Sequence, residues 1–563
     1  MFYNQLKNLI SFFSLFLQEL THLKLFMLSK EEKNEYREEL FRHLDGIAVT
    51  TVAYSLKEKG VLDYLLSKES IQLKEITSKF KANEGYFNVG LRMLASQGWL
   101  QYDIDNTTNS ILISKNDNSE LAFEHIDLYK DVAHFLKISE EFHPRSLDKE
   151  QFSILNRIFN KYKNKEYDPS SKNQKEFLIQ KQIFRHIEGV LVGPITVFLG
   201  MDGMFHKYFM EASFSAEEFH EDPESFSKIL DFLHYLGWFT KNNAHYKFTN
   251  KGFFFARRAS AYGVTVSYIP TFRRVEELMF GNANILRSSI PNSVEIHVDR
   301  EMNVWGSGGA HSAYFKKIDE IIIALFNKPI EEQPKGILDM GCGNGAFLIH
   351  LFEVIEQRTK RGPLLEEYPL FLVGVDYNKA ALKVTRSNLI KADIWAKVIW
   401  GDIGNPKQLQ EDINTNYNIK LSDLLNVRTF LDHNRPWSQP TKIDTKRISN
   451  STGAFACCGT RLPNSVVEQN LKEHFEKWAP FIKKFGLLVI ELHTIKPSIA
   501  AKNIGLTAAT AYDATHGFSD QFILELEVFQ KVLKEIGINT IDKHFSKFPN
   551  NEMATVSINY LKG

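Results

Sequence analysis

The stretch Ile337-Leu338-Asp339-Met340-Gly341-Cys342-Gly343-Asn344-Gly345 decides the fold class of this chain. An apolar run ends at Asp339 and glycines follow at once, which is the pattern of a buried strand that turns tightly into a helix. Gly341 and Gly343 let the backbone turn sharply and pass close to a ligand, where a side chain would collide. The amide groups at the start of the following helix would point at that ligand. The stretch predicts a cofactor site, although dinucleotide enzymes use a similar loop.

Acidic residues at the ends of three successive strands indicate which cofactor binds. Asp339 precedes the glycines and is available for an ammonium group. Asp376 can accept both hydroxyls of a ribose, and we expect Tyr377 beside it to contact the cofactor too. Asp402 can accept an adenine amino group while Ile403 covers the ring. Because open α/β sheets bind ligands at the carboxyl ends of their strands, these acids predict S-adenosylmethionine. The alternative is that each aspartate only caps a helix or turn.

The segment around the glycine loop alternates between helical and apolar strand patterns, which predicts a parallel, doubly wound sheet. A final pair of strands suits an antiparallel edge. We therefore predict an α/β class I methyltransferase core, Rossmann-like, over residues 301–563, with insertions at 434–465 and 494–520. The predicted strands span 336–340, 370–376, 396–400, 421–427, 487–493, 540–544 and 554–560, and the predicted helices span 313–327, 466–484 and 521–535, with two more that begin at 345 and 378.

The N-terminal part of the chain contains a weak internal repeat. Phe41-Arg42-His43-Leu44-Asp45-Gly46 resembles Phe184-Arg185-His186-Ile187-Glu188-Gly189, and Gly98-Trp99-Leu100 resembles Gly237-Trp238-Phe239. Each copy has the pattern of a long helix, a helix-turn-helix and a short hairpin. We predict a helical N-terminal region of two winged-helix-like repeats. The first spans residues 36–135, and the second, a lid with a helical linker, spans residues 136–300.

A winged helix invites a DNA-binding function, but the charges oppose that function here. The candidate recognition helix at 222–236 carries Asp222, Glu224 and Asp231 against a single Lys228, and phosphate would repel such a face. Lysine plus arginine also equals aspartate plus glutamate, at 68 each. We therefore expect packing or dimerisation modules and no nucleic acid partner.

Residues 1–35 predict an amphipathic N-terminal helix rather than a targeting segment. The apolar run at 9–17 is too short to span a bilayer, and no small-residue cleavage site follows it. Two of the three cysteines, Cys457 and Cys458, are adjacent and badly placed to cross-link distant segments, so we expect a reducing compartment. The prediction is a cytoplasmic protein without stable membrane insertion.

Histidines lie at further strand ends of the predicted sheet. His433 follows the fourth strand, His493 ends the fifth, and a polar segment with His516, Asp520 and Gln521 comes later. Two histidines with an amide or carboxylate could hold a divalent metal, which would stabilise an enolate as a Lewis acid. Alternatively, one histidine is a general base and the other is a hydrogen-bonded group behind it.

Several further motifs occur together with the glycine loop. They are Leu91-Arg92-Met93-Leu94, Gly306-Ser307-Gly308 with His311 and Tyr314-Phe315, Gly374-Val375-Asp376-Tyr377-Asn378, Gly401-Asp402-Ile403-Gly404-Asn405-Pro406, Phe430-Leu431-Asp432-His433 and Gly517-Phe518-Ser519. This set closely resembles the metal-dependent S-adenosylmethionine methyltransferase domains of saxitoxin- and apratoxin-type polyketide synthase loading modules. The resemblance runs from about residue 40 to the C-terminus.

The resemblance implies one iron or manganese ion and C-methylation of a malonyl group on an acyl carrier protein. Carried over by position, His433, His493 and Gln521 are the implied metal ligands, and the two histidines are the implied catalytic residues. His516 and Asp520 lie close enough in sequence to replace Gln521. In the loading modules a decarboxylase domain and a carrier follow the core, whereas this sequence stops after the final strand. We therefore expect a small acyl substrate that is either presented by a carrier in trans or is a different carboxylate.

Three functions remain open at this stage. The first is metal-dependent C-methylation of a malonyl-like, carrier-bound thioester through a metal enolate. The second is metal-free O- or N-methylation of a small molecule, with His433 or His493 as the base. The third is a regulator that senses S-adenosylmethionine and binds DNA through its winged helices.

Overall fold

The computed structural model describes residues 28–139, 147–164, 173–207, 212–287 and 295–563, without the side chains of residues 309–313. Most of the predicted amphipathic helix at 1–35 lies outside the described residues. The first described helix begins at Lys30, because Ser29 and Glu32 form a reciprocal capping box there.

The N-terminal half is mainly helical and contains two small antiparallel sheets. In chain order its helices are α1 Lys30–Glu58, α2 Val61–Leu66, α3 Leu73–Phe80, α4 Glu84–Ser96, α5 Ser119–Glu124, α6 Lys130–Ile138, α7 Lys149–Lys163, α8 Gln174–Met201, α9 Met204–Lys207, α10 Pro223–Tyr235, α11 Asn250–Ala256, α12 Ala259–Ser267, α13 Ile269–Phe272 and α14 Val275–Phe280, and its strands are β1 Ser70–Gln72, β2 Gln101–Asp105, β3 Ser110–Ser114, β4 Phe239–Asn242 and β5 His245–Phe248. The first sheet has the order β1-β3-β2, and the second is the hairpin β4-β5. The hairpin β2-β3 follows α3 and α4, and the hairpin β4-β5 follows α10, so each predicted winged-helix-like unit includes a hairpin.

The two copies of the repeat pack against each other where the long helices α1 and α8 cross. A Cβ atom on Gly46 would lie 2.3 Å from Cα of His186, and one on Gly189 would lie 2.4 Å from Cα of His43. Each of these histidines is hydrogen-bonded through Nδ1 to a tyrosine hydroxyl. The repeated motif therefore encodes a close, pseudo-symmetric helix crossing.

We expect Gly46→Ala to lower the free energy of unfolding by about 1–3 kcal/mol, because the added methyl group forces two backbones apart. Denaturant unfolding followed by circular dichroism measures the change. Gly308→Ala is the matched control, since no atom lies within 4 Å of its Cβ position and the residue is helical and exposed. A Gly46→Ala chain as stable as the unmodified chain would contradict the close crossing.

Helix α8 is long and apolar enough to cross a membrane by length and composition, and among the described helices it alone passes that test. However, 89% of its most apolar 18-residue window is buried inside the protein. Helices α1 and α12 pack on it. This burial is typical of the core helix of a folded domain.

Helix α4, the candidate second helix of the first winged-helix-like unit, is covered by the rest of the protein. Residues 85–96 are all buried. Its single cation, Arg92, forms an ion pair with Asp513 and donates to the carbonyl of Ile495 at 2.7 Å. The helix therefore has no free face for a DNA groove.

The C-terminal part forms a mostly parallel sheet with helices on both faces. Its strands are β6 Gly336–Met340, β7 Phe371–Asp376, β8 Ala396–Trp400, β9 Leu425–Thr429, β10 Phe455–Cys457, β11 Thr460–Leu462, β12 Leu487–Leu492, β13 Asn539–Thr540, β14 Ser546–Phe548 and β15 Val556–Lys562, and its helices are α15 Arg300–Phe326, α16 Ala346–Arg358, α17 Lys379–Lys391, α18 Pro406–Tyr417, α19 Asn464–Ile482, α20 Pro497–Lys502, α21 Ala509–Gly517 and α22 Leu526–Glu535. The large sheet has the order β13-β15-β12-β9-β6-β7-β8, and β14 also pairs with β15. Because β15 runs antiparallel to β12, the predicted core and its antiparallel edge are confirmed.

Some predicted elements differ from the structure in their bounds. The strand predicted at 421–427 lies at Leu425–Thr429, after a 3-10 turn. The helix predicted at 521–535 begins only at Leu526, because residues 521–525 are buried but not helical. The strand predicted at 540–544 ends at Thr540. In the first two cases the apolar pattern reports burial, which extends beyond the residues with regular backbone hydrogen bonds. In the third, Asp542–His544 form a 3-10 turn with no buried residue.

Candidate active site

The glycine loop joins β6 to α16 at the carboxyl edge of the sheet. Gly341 and Gly343 have φ angles of 78° and 55°, which side chains rarely allow. The amides of Gly341 and Cys342 both donate to the carbonyl of Val375, at 2.7 and 3.0 Å. The loop is thereby fixed against β7 in a sharp turn.

Asp339 ends β6 beneath this loop, with 1% of its surface exposed. Burial, together with the negative charge of Asp376, raises the pKa of its carboxyl group to about 8. Its Oδ1 atom has no hydrogen-bond partner among the described residues, although buried polar atoms normally have one. The ammonium group of a ligand would supply the missing donor and favour the ionised carboxylate.

Asp376 ends the neighbouring strand β7 and is held by backbone amides. Oδ2 accepts from Gly343 at 3.0 Å, and Oδ1 accepts from Asn378 at 2.8 Å. Burial raises the pKa of this carboxyl group, and the nearby Arg300 acts in the opposite direction. The carboxylate is therefore oriented next to the glycine loop before any ligand binds.

The third predicted acid, Asp402, follows β8, the next strand of the sheet. Its Oδ1 accepts from an amide two residues further on, at 2.7 Å. Ile403 is buried, and its carbonyl accepts from Trp478 Nε1 at 2.8 Å. Tyr377 is 65% exposed, and its ring centroid lies 5.5 Å from that of Trp400. The predicted acids thus lie along one sheet edge, with Tyr377 outside it on the surface.

His433 and His516 lie side by side, with ring centroids 4.8 Å apart. His433 Nδ1 is 2.5 Å from Glu491 Oε1, and His516 Nδ1 is 2.7 Å from the carbonyl oxygen of Tyr512. Because each Nδ1 faces an acceptor, the proton belongs there and the Nε2 lone pairs remain for a ligand. Burial lowers the pKa of His516 to about 3, which keeps this imidazole neutral.

Gln521 lies in the segment after α21, and the backbone there is hydrogen-bonded to both histidines. Its backbone amide donates to the carbonyl of His516 at 2.9 Å, and the amide of Phe522 donates to the carbonyl of His433 at 2.8 Å. Its side-chain Nε2 donates to the hydroxyl of Tyr268 at 3.0 Å, which leaves Oε1 for a cation. The two Nε2 atoms and Oε1 fit the N/O ligand set that iron or manganese accepts.

The structure does not bring His493 into this group. Its Nε2 lies 2.7 Å from Ser557 Oγ, and its Nδ1 lies 3.1 Å from the carbonyl oxygen of Leu524. Both ring nitrogens already have partners, so the geometry favours His516 over His493 as the second imidazole. Asp520 points elsewhere, accepting from the hydroxyl of Tyr86 at 2.9 Å. The metal itself stays a prediction.

Two side chains that support this group are not among the residues predicted from the sequence. Glu491 holds His433 in place through its Nδ1 atom. The sequence does single out Glu491, because it is the one charged residue within the buried strand β12. Tyr268 accepts a hydrogen bond from Gln521 although it lies 253 positions earlier in the chain. No pattern in the sequence around Tyr268 indicates this contact. Burial raises the pKa of Tyr268, so its hydroxyl stays protonated.

Comparison with known families assigns most of the chain. Residues 295–559 match the AprA MT2-like domain, residues 188–282 match the AprA winged helix domain, and residues 36–102 match the AprA N-terminal domain. The winged-helix match lies within the second predicted repeat, and the MT2-like match covers the glycine loop and all three strand-end aspartates.

Individual relatives are more distant. Over 104 residues the chain is 31% identical to the protein-lysine N-methyltransferase efm4 of Schizosaccharomyces pombe. The matched region is 18% of this chain and 40% of the length of that protein. The mitomycin 7-O-methyltransferase MmcR is 11% identical, with a TM-score of 0.38, over 68% of this chain and 98% of its own. An O-methyltransferase family protein of Burkholderia thailandensis is 10% identical, with a TM-score of 0.36, over 66% and 95%. TM-scores this low do not bear on the activity of this chain.

Proposed function

We propose that this chain methylates the α-carbon of a malonyl-like thioester on a carrier protein. The chain belongs to the AprA-type S-adenosylmethionine-dependent methyltransferases. Membership of a methyltransferase family argues against the third hypothesis, a regulator that only senses the cofactor. The observation that carries the proposal is the group of His433, His516 and Gln521. His433 follows β9, and β9 is hydrogen-bonded to β6, the strand that carries Asp339.

The strand-end aspartates hold the cofactor in this proposal. Asp339 offers its unpartnered Oδ1 to the ammonium group, and Asp376 accepts the ribose hydroxyls. Asp402 accepts the adenine amino group, and the glycine loop leaves room for the backbone to approach the ligand. A cofactor held in this way would lie at the carboxyl ends of β6 and β7, next to the neighbouring strand β9.

The histidines and Gln521 would hold the substrate end of the site through a divalent metal ion. When bound, iron or manganese supplies Lewis acidity to the substrate's carboxylate and thioester carbonyl, which makes the α-carbon more acidic. Glu491 fixes the His433 ring, the Tyr512 carbonyl fixes the His516 ring, and Tyr268 orients Gln521. Each of these partners would fix the orientation of one ligand side chain before an ion binds.

The proposed reaction balances without any further reactant. The α-carbon loses a proton, its electron pair forms the new C–C bond, and the bond between sulfur and the methyl carbon breaks. The products are the α-methylated thioester, S-adenosylhomocysteine and one proton. The buried surroundings of His433 and His516 exclude water and strengthen these electrostatic interactions.

One observation supports a second candidate, metal-free O-methylation. The distance of 2.5 Å between His433 Nδ1 and Glu491 Oε1 is that of a carboxylate-supported general base. In that reaction His433 Nε2 would take the proton of a substrate hydroxyl group. A chelator distinguishes the candidates, because it leaves a metal-free reaction unchanged.

The expected result with malonyl-loaded acyl carrier protein, S-adenosylmethionine and Fe²⁺ or Mn²⁺ is a gain of one or two methyl groups, measured by intact-mass spectrometry. Carrier loaded with an acetyl group is the control, since it lacks the second carboxylate and should gain none. Prior treatment with EDTA should stop the reaction. If no methyl group is gained with either metal, the proposed malonyl-like acceptor is wrong. If activity in EDTA is unchanged, the proposed metal dependence is wrong.

A further inference from the structure

An exposed apolar surface covers residues 377–400, which run from the end of β7 through α17 to the end of β8. Five of the fourteen large hydrophobic side chains that are exposed among the described residues lie in this segment: Tyr377, Val384, Ile390, Trp395 and Trp400. Trp395 is 90% exposed and Ile390 is 77% exposed, more than any other large hydrophobic residue described. Single exposed apolar residues are ordinary, but a cluster of this kind marks an interaction site.

The same segment is strongly basic, although the whole chain has no net charge. It contains five cations and one acid, Asp393. The cations are Lys379, Lys383, Arg386, Lys391 and Lys397, and all five are exposed. None of them forms an ion pair with a residue in the described part of the chain. Their charge is therefore free to attract an acidic partner.

The fold presents this segment as one surface. On α17, Lys383, Ser387 and Ile390 are exposed at helical spacing, so cations and apolar groups share one face. Strand β8 is the last strand of the large sheet, and no further strand of the described chain covers it. The surface begins at Tyr377, next to Asp376, so it adjoins the cofactor site.

We propose that the surface of residues 377–400 docks an acidic protein, namely the carrier that presents the acyl substrate. The carrier as occupant rests on the proposed function, whereas the acidic character of the partner rests on the charge of the surface. Lysines around the apolar residues would steer an acidic partner, and the exposed tryptophans and Ile390 would supply the buried contact.

Other classes of partner fit this surface less well. Single-stranded nucleic acid could stack on Tyr377, Trp395 and Trp400, whereas Val384 and Ile390 offer bases no stacking surface. The acidic Asp393 also lies among the cations. A protein with acidic and apolar residues on one helix would match both features.

The test measures binding of malonyl-loaded acyl carrier protein to the full chain at low and high salt. Lys383→Glu with Lys391→Glu, and separately Ile390→Ala with Trp395→Ala, should each weaken binding about tenfold or more. Lys228→Glu with Lys534→Glu is the matched control on two other exposed helical positions and should change binding less than about twofold. Binding to the unmodified chain should weaken as salt rises.

Unchanged binding in both surface variants would overturn the proposal. So would tighter binding of single-stranded DNA or phosphatidylserine vesicles than of the carrier, or a dimer of this chain that the same substitutions dissociate. Methylation of malonyl-pantetheine, which needs no docking, should proceed equally in all variants. If neither malonyl-loaded carrier nor malonyl-pantetheine is methylated, the proposed reaction is refuted. If the surface variants nevertheless lose carrier binding, the docking surface is still supported.

Discussion

Replacing Asp376 with alanine is expected to weaken S-adenosylmethionine binding about 100-fold or more. If Asp376 accepts both ribose hydroxyls as proposed, the variant loses two charge-assisted hydrogen bonds, each worth about 1.5–3 kcal/mol. Together these amount to at least about 3 kcal/mol, and each 1.4 kcal/mol is a factor of about ten in affinity. Isothermal titration calorimetry with S-adenosylmethionine and with S-adenosylhomocysteine measures the change.

Two controls separate this effect from damage to the fold. Asp376 also accepts from Gly343 and Asn378, so the melting temperature of the variant must be measured without ligand. Glu411→Ala removes an exposed acid from α18, away from the strand ends, and should leave the affinity unchanged. Equal affinities of the Asp376→Ala and unmodified chains would show that the ribose lies elsewhere.

The second large effect concerns the metal. His433→Ala and His516→Ala should each reduce bound iron or manganese from stoichiometric to trace amounts, because each removes one of the three proposed protein ligands. His493→Gln should retain the metal, because both nitrogens of His493 are engaged by Ser557 and Leu524. Elemental analysis of the purified variants measures this directly, independently of activity.

The outcomes of this experiment distinguish the two histidines. Metal loss in His493→Gln together with metal retention in His516→Ala would restore the ligand set that the family resemblance implies. An unmodified chain that binds no metal under saturating Fe²⁺ or Mn²⁺ would refute the metal site altogether. Glu491→Gln is a milder variant, since it keeps the contact with His433 Nδ1 but removes the charge, and should weaken metal binding less than His433→Ala does.

In the winged-helix-like region, the sequence predicts the repeat but not how the two copies pack. The repeat around His43 and His186 was visible in the sequence and suggested two similar units. The structure adds that Gly46 and Gly189 meet at one crossing, so each copy of the motif is the packing surface of the other. Helix α4 would serve DNA in an isolated winged helix, but here the protein covers it.

The core and the cofactor acids could be read from local patterns alone. A glycine with positive φ, a buried strand and an acid at its carboxyl end depend on neighbours along the chain. Asp339, Asp376 and Asp402 therefore lie along the sheet edge that the sequence predicted. Element bounds were less accurate, as the late start of α22 at Leu526 shows.

Tertiary packing determines which histidine lies next to His433. His493 ends a strand just as the predicted ligands should, but its ring is taken up by Ser557 on the neighbouring strand β15. His516 comes from α21, whose path back to His433 depends on contacts between segments more than 80 residues apart. Short-range patterns hold no information about which side chains such a path brings together. Only the folded chain places His433, His516 and Gln521 side by side.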